Sequence, residues 1–158
     1  MSTSDLSDPH DSRWQPLLDA AWAAREHAHA PYSGFRVGAA LLTTGGAVVA
    51  GCNVENASYP LCTCAERGII AAAVGQGLLR PGGLLALAVV TEAERLTPPC
   101  GACRQVLVEF ANRLPVLLAN RRERALHDLA DLLPEAFTSR DFSPLERVPD
   151  LSKDRPSS

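Results

Sequence analysis

The sequence predicts an α/β domain in which a single sheet is covered by helices. Three observations carry this. Apolar residues recur at helical spacing in some stretches and as short unbroken runs in others. The two kinds of stretch follow one another as α-β-β-α-β-α-β-α, with turn residues between them. The length of 158 residues, 46% of them apolar, suits one domain with a real core.

Taken in order, residues 1–13 are polar, rich in Ser and Asp, and are expected to form a flexible N-terminus. Residues 14–29 place Trp14, Leu17, Leu18, Ala21 and Trp22 at helical spacing. Pro31, Tyr32, Ser33 and Gly34 break that helix. Residues 35–43 and 47–52 are apolar runs flanking Thr44, Gly45 and Gly46, which reads as a hairpin. A helix is predicted over 64–75, a strand over 84–91, a helix over 101–112 and a strand over 115–120. Residues 126–133 are expected to form a last helix, stopped by Pro134. The domain is taken as 14–142, followed by a flexible C-terminal tail over 143–158. No internal repeat is present.

Composition excludes several classes. Fifteen basic residues against eighteen acidic ones give a net charge of −3, unlike the basic face with which proteins neutralise nucleic-acid phosphates. The short cluster Arg121, Arg122, Glu123, Arg124 reads as a solvated turn. No apolar run is long enough to span a bilayer, and the acidic N-terminus does not look like a signal peptide. A cytoplasmic protein is expected, acting on a small molecule, with neither nucleic acid nor membrane as partner. Five cysteines there point to metal or redox chemistry ahead of disulfides.

Two clusters carry the chemistry: Cys64-Ala65-Glu66, and Pro99-Cys100-Gly101-Ala102-Cys103. Three thiolates hold a zinc ion and leave its fourth position open for water. Glu66 is placed to move protons for that water. Both clusters fall at predicted helix starts; Pro98 and Pro99 suit the beginning of a helix. Cys100 and Cys103, three apart, share a face there. Two helix N-termini aimed at one point also favour thiolate over thiol. Arg67 is placed to offset, by hydrogen bonds to sulfur, the −1 charge of zinc with three thiolates. C-x-E…P-C-x-x-C is the known signature of zinc-dependent nucleobase deaminases.

Plainer readings stand beside these. The cysteines are also a type often buried as small hydrophobes. Cys62 with Cys64 makes C-x-C, and four cysteines would close a structural site with no open position. Glu66 alone fits a helix-dipole carboxylate. Asn53 and Asn56 suit turns. Cys52 reads as a strand residue, and His10, His27, His29 and His127 as surface residues.

Four motifs in order then resemble the short, single-domain, zinc-dependent cytidine deaminases. They are residues 31–40 (PYSGFRVGAA), 51–60 (GCNVENASYP), 64–67 (CAER) and 99–105 (PCGACRQ), with a further likeness at 132–137 (LLPEAF). The resemblance spans 14–142. It implies a three-layer α/β/α sandwich on a mixed, roughly five-stranded sheet. One Zn2+ per chain is implied on Cys64, Cys100 and Cys103, with Glu66 as proton shuttle and Arg67 behind the ligands. Asn53 and Glu55 would hold the ribose hydroxyls, the backbone at Ala65 the pyrimidine O2, and Phe35 the base. Phe137 would be lent to a neighbouring subunit of a homotetramer. The reaction implied is hydrolysis of cytidine and 2'-deoxycytidine to the uridines: hydroxide made at zinc attacks C4 while Glu66 relays protons to N3 and to the departing amino group. Pro98, Gly68 and Glu135 depart from the family's usual residues. Deamination of another amino-nucleoside, and a structural zinc or binding module, remain as alternatives.

Overall fold

The short apolar runs become strands and the stretches of helical period cover them on both sides. In a computed structural model residues 6–141 are described. The elements are α1 (Gln15–Arg25), β1 (Val37–Thr43), β2 (Val48–Cys52), α2 (Ala65–Gly75), β3 (Leu84–Thr91), α3 (Gly101–Val108), β4 (Pro115–Ala119), β5 (Arg124–Asp128) and α4 (Leu129–Leu132). The sheet order is β2-β1-β3-β4-β5. Strand β1 is antiparallel to both β2 and β3, β3 runs parallel to β4, and β4 is antiparallel to β5. A parallel pair needs a crossover, and α3 supplies it.

Side chains alternate across the sheet and build two cores. On one face Leu41, Leu87, Val89, Val116 and Leu118 meet Ile69, Ile70 and Ala73 of α2 and Leu107 of α3. On the other, Ala40, Ala86, Ala88, Val90 and Leu117 meet Trp14, Leu17, Leu18 and Ala21. Small residues on this second face let α1 lie close. A Cβ on Gly38 would stand 2.0 Å from the Ala21 carbonyl oxygen and 2.8 Å from Arg25 Cβ, so only glycine fits there. The result is the three-layer α/β/α arrangement with a mixed five-stranded sheet that the family resemblance implies.

The structure corrects the sequence reading at the C-terminal side. The helix predicted over 126–133 is instead strand β5 followed by the single turn α4. Asn120 is the cause. Its Oδ1 accepts from the backbone N–H groups of Arg122 and Glu123, which folds residues 120–124 into a hairpin turn and pairs 124–128 with β4. Helix α1 ends at Arg25, short of the predicted 29, and His29 makes a bridge with Val54. Helix α3 ends at Val108, short of 112. Within the segment read as a loose N-terminus, Leu6 is buried against the α1 core. The proposed tail over 143–158 lies outside the described residues. No helix among the described residues is long and apolar enough to cross a membrane.

Candidate active site

Helices α2 and α3 begin on cysteines. Cys64 is the N-cap of α2 (φ −69°, ψ 152°) and Cys100 that of α3 (φ −67°, ψ 166°), and neither side chain caps its own helix. Both sulfurs are therefore turned outward, where Cys103, in the first turn of α3, joins them. Cys64 Sγ lies 4.0 Å from Cys100 Sγ, and Cys100 Sγ lies 3.4 Å from Cys103 Sγ. All three sulfurs fall within 4.8 Å of one another. Sulfurs around a tetrahedral zinc, with bonds of about 2.3 Å, sit about 3.8 Å apart. The donor set fits that ion with little movement.

The electrostatics suit a cation. A hydrogen bond from the Cys103 thiol, helped by Arg67 and Cys100, holds the Cys64 thiol down at about 5. Cys103, at the other end of that bond and buried, is pushed up. Thiolate is the form that binds a metal, so a divalent cation at these sulfurs would favour their deprotonation. Arg67 Nη2 lies 3.9 Å from Cys64 Sγ and donates to the Cys62 carbonyl at 2.8 Å. Glu66, one residue beyond Cys64 and Ala65, is only 5% exposed. Burial pushes its carboxyl up, and the negative charge of Cys64 adds to this. A desolvated carboxyl beside these sulfurs holds a proton more readily than a solvated one.

Cys62 stands apart from the three sulfurs. Its Sγ accepts from the Asn56 N–H at 3.3 Å and lies 3.6 Å from the Asn56 carbonyl oxygen. The converging group among the described residues is Cys64, Cys100 and Cys103 alone. Burial raises the Cys52 thiol on β2. The four histidines are exposed.

The residues expected to hold the nucleoside are only partly brought together. Asn53, just past β2, accepts from the Val37 N–H and donates to the Phe35 carbonyl, each at 2.8 Å. Glu55 accepts from the N–H groups of Tyr32 (2.8 Å) and Ser33 (3.2 Å) and from the Ser33 hydroxyl. The Ser33 hydroxyl and the Tyr32 N–H hold the Glu55 carboxyl below its ordinary range. Both side chains therefore brace the 31–37 segment, at whose centre Phe35 is exposed. A cleft of about 280 Å³ is lined by Tyr32, Ser33, Glu55, Tyr59 and Cys62. The rings of Tyr32 and Tyr59 meet edge-on at 5.9 Å. Neither tyrosine is among the site residues the sequence predicts, although both lie inside matched motifs; an aromatic beside a turn proline is the available signal. Ala65 is fully buried at the start of α2, where the first backbone N–H groups have no intrahelical partner. Phe137 is exposed and does not line the cleft. Glu135, two residues before it, is held at φ 55°, a left-handed backbone.

A larger groove of about 570 Å³ lies between the N-terminal segment and β4–β5, lined in part by Leu6, Arg113, Leu126 and Asp128. It contains none of the predicted site residues, and its charges, Arg113 and Asp128, pair with each other at 2.9 Å. The chemistry sits at the starts of α2 and α3.

Three cysteine sulfurs and a buried glutamate at two helix starts define a zinc-dependent hydrolase centre on an α/β/α sandwich. The chain belongs to the cytidine and deoxycytidylate deaminase family, whose zinc-binding-region model matches residues 12–118. A cytidine deaminase of Sporosarcina psychrophila is 44% identical over 131 residues, 82% of this chain and 94% of that protein. One of Mycobacterium tuberculosis is 44% identical over 137 residues, 87% of this chain and 98% of that protein. The crystal structure of a cytidine deaminase from Burkholderia pseudomallei is 52% identical and superposes with a TM-score of 0.74. It covers 78% of this chain and 98% of that one.

Proposed function

We propose that this chain is a zinc-dependent enzyme that hydrolytically deaminates cytidine and 2'-deoxycytidine to uridine and 2'-deoxyuridine, a step of pyrimidine salvage in the cytoplasm. The convergence of the Cys64, Cys100 and Cys103 sulfurs beside buried Glu66 carries this reading. Cys64, Cys100 and Cys103 would hold the zinc, which would acidify a water and so make it a nucleophile at neutral pH. The chain's own residues do the rest. Glu66 takes the proton released from water and delivers it to N3 of the cytosine ring, which makes C4 more electrophilic. Once the water oxygen has bonded to C4, Glu66 takes the remaining proton from that oxygen and gives it to the amino group; C4=O forms as the C4–N bond breaks, and ammonia leaves. Its raised affinity for a proton suits a group that must both accept and return one. Arg67 balances the charge of the sulfurs.

Phe35 packs on the base, and the backbone N–H at the start of α2, around Ala65, donates to the pyrimidine O2. Asn53 and Glu55 bind the ribose hydroxyls while bracing the loop that carries Phe35; Glu55 remains an acceptor because it is held ionised. Phe137 completes the site of a neighbouring subunit in a homotetramer.

Ultraviolet absorbance of the zinc-loaded protein with cytidine, deoxycytidine, cytosine and adenosine in parallel tests the reaction. Loss of the aminopyrimidine band is expected with the two nucleosides and not with the free base or adenosine. No turnover of either pyrimidine nucleoside overturns the proposal. Ending the chain before Phe137 is expected to raise KM and weaken association while zinc stays bound. A fully active monomer in sedimentation at assay concentration contradicts the shared site.

A further inference from the structure

Helix α3 holds more than two sulfurs. The two residues after Cys103 donate to backbone carbonyls that lie before and after α3 in the chain. Arg104 Nε donates to the Pro99 carbonyl at 2.7 Å, and its Nη1 donates to the Leu132 carbonyl at 2.6 Å. Gln105 Nε2 donates to the Phe137 carbonyl at 2.7 Å. Pro99 leads directly into Cys100, and Leu132 and Phe137 bracket the C-terminal segment. One stretch of helix thus ties the peptide before a sulfur to the segment that carries Phe137.

We propose that Arg104 and Gln105 are positioning residues: Arg104 fixes the Pro99–Cys100 peptide and so the retention of zinc, and together with Gln105 it fixes the placement of Phe137. Pro98 and Pro99 offer no backbone N–H, so the loop before Cys100 cannot be tethered through donors of its own and depends on what its carbonyls receive. Leu132 lies in the last turn of α4, where helix carbonyls lack an intrahelical donor. A planar, charged guanidinium serves both carbonyls at once and sets their separation; charge-assisted bonds of this kind are the stronger ones. The backbone between the two C-terminal anchors supports the same assignment. Glu135 keeps a left-handed φ that side-chain-bearing residues rarely adopt, and such a conformation persists where the flanks are held.

The assignment rests on the metal site proposed above, and its test separates the two. Zinc-loaded Arg104→Met, Arg104→Lys and Gln105→Ala are compared with the parent for release of zinc to a chromogenic chelator, without nucleoside, and for KM and kcat with cytidine. Arg104→Met is expected to release zinc about tenfold faster, the scale seen when a group supporting a ligand is removed, and to show a raised KM. Arg104→Lys, a single ammonium without the fork, falls between. Gln105→Ala keeps the parental release rate and raises KM several-fold with kcat retained. Parental zinc release from Arg104→Met overturns the role of Arg104, and parental KM from Gln105→Ala overturns that of Gln105. Should Arg104→Met not fold, Arg104→Lys carries the zinc measurement, and parental release from it is decisive against the assignment. A parent that turns over no cytidine sinks the proposed reaction while leaving the zinc comparison intact.

Discussion

Helices α2 and α3 begin in a different way from α4, and the contrast separates what the fold needs from what the chemistry needs. At α4 the N-cap is Asp128, whose carboxylate accepts from the Ala130 N–H at 2.9 Å. At α2 and α3 the N-caps are Cys64 and Cys100, with the same extended backbone and no side-chain cap bond. Asp128 turns back onto its own helix; the two cysteines turn outward and meet a third. The first-turn acids differ too, since Asp131 of α4 is exposed and Glu66 of α2 is buried. A cap of the Asp128 kind is worth about 1 kcal/mol. The two site-bearing helices forgo it, and their dipoles are left to favour thiolate at the sulfurs.

Removing a sulfur should break this arrangement most completely. Cys103→Ser is expected to lose bound zinc and all measurable turnover, whereas Cys62→Ser, whose sulfur faces the Asn56 backbone, keeps both. Metal analysis per chain checks the pair, and zinc loss from Cys62→Ser would point to a closed four-cysteine site. Next comes the buried acid. Glu66→Gln should retain zinc and fold while turnover falls by about 10²–10⁴-fold, the usual worth of general acid–base help. A near-parental rate with cytidine would remove Glu66 from the mechanism.

The site was legible where residue type and spacing alone carry the chemistry. Cys64, Cys100 and Cys103 had to meet if they bind one ion, and helix starts are where the Cβ direction lets a residue and its successor but one converge. The α1, α2 and β1–β4 elements follow from periodicity. Strand β5 does not, because Leu126 runs on into Leu129 and Leu132 and reads as one helix over 126–133. A side-chain acceptor at Asn120 decides the matter, and its effect on the next three residues is invisible to an apolar period. The braces around Phe35 were hidden for a similar reason. Asn53 and Glu55 were legible as polar residues in a matched motif, but their bonds to Phe35, Tyr32 and Ser33 depend on a turn some twenty residues earlier in the chain.

The smaller effects sharpen the contrast between helix starts. Asp128→Ala should lower stability by about 1 kcal/mol in denaturant unfolding, with zinc content unchanged. Cys100→Ser should act in the opposite direction once metal is removed. The N-cap backbone is already in place at φ −67°, ψ 166°, and the residue is exposed, so a hydroxyl there is not desolvated. Its oxygen is a far better acceptor than sulfur for the N–H groups of the first turn. The metal-free variant is expected to gain up to about 1 kcal/mol over the metal-free parent, read as a higher denaturant midpoint at unchanged slope. Adding zinc should reverse the order, because the ion stabilises only the chain that binds it. The Asp128→Ala difference should not reverse. A metal-free Cys100→Ser no more stable than its parent would mean that these helix starts sacrifice nothing by carrying cysteine.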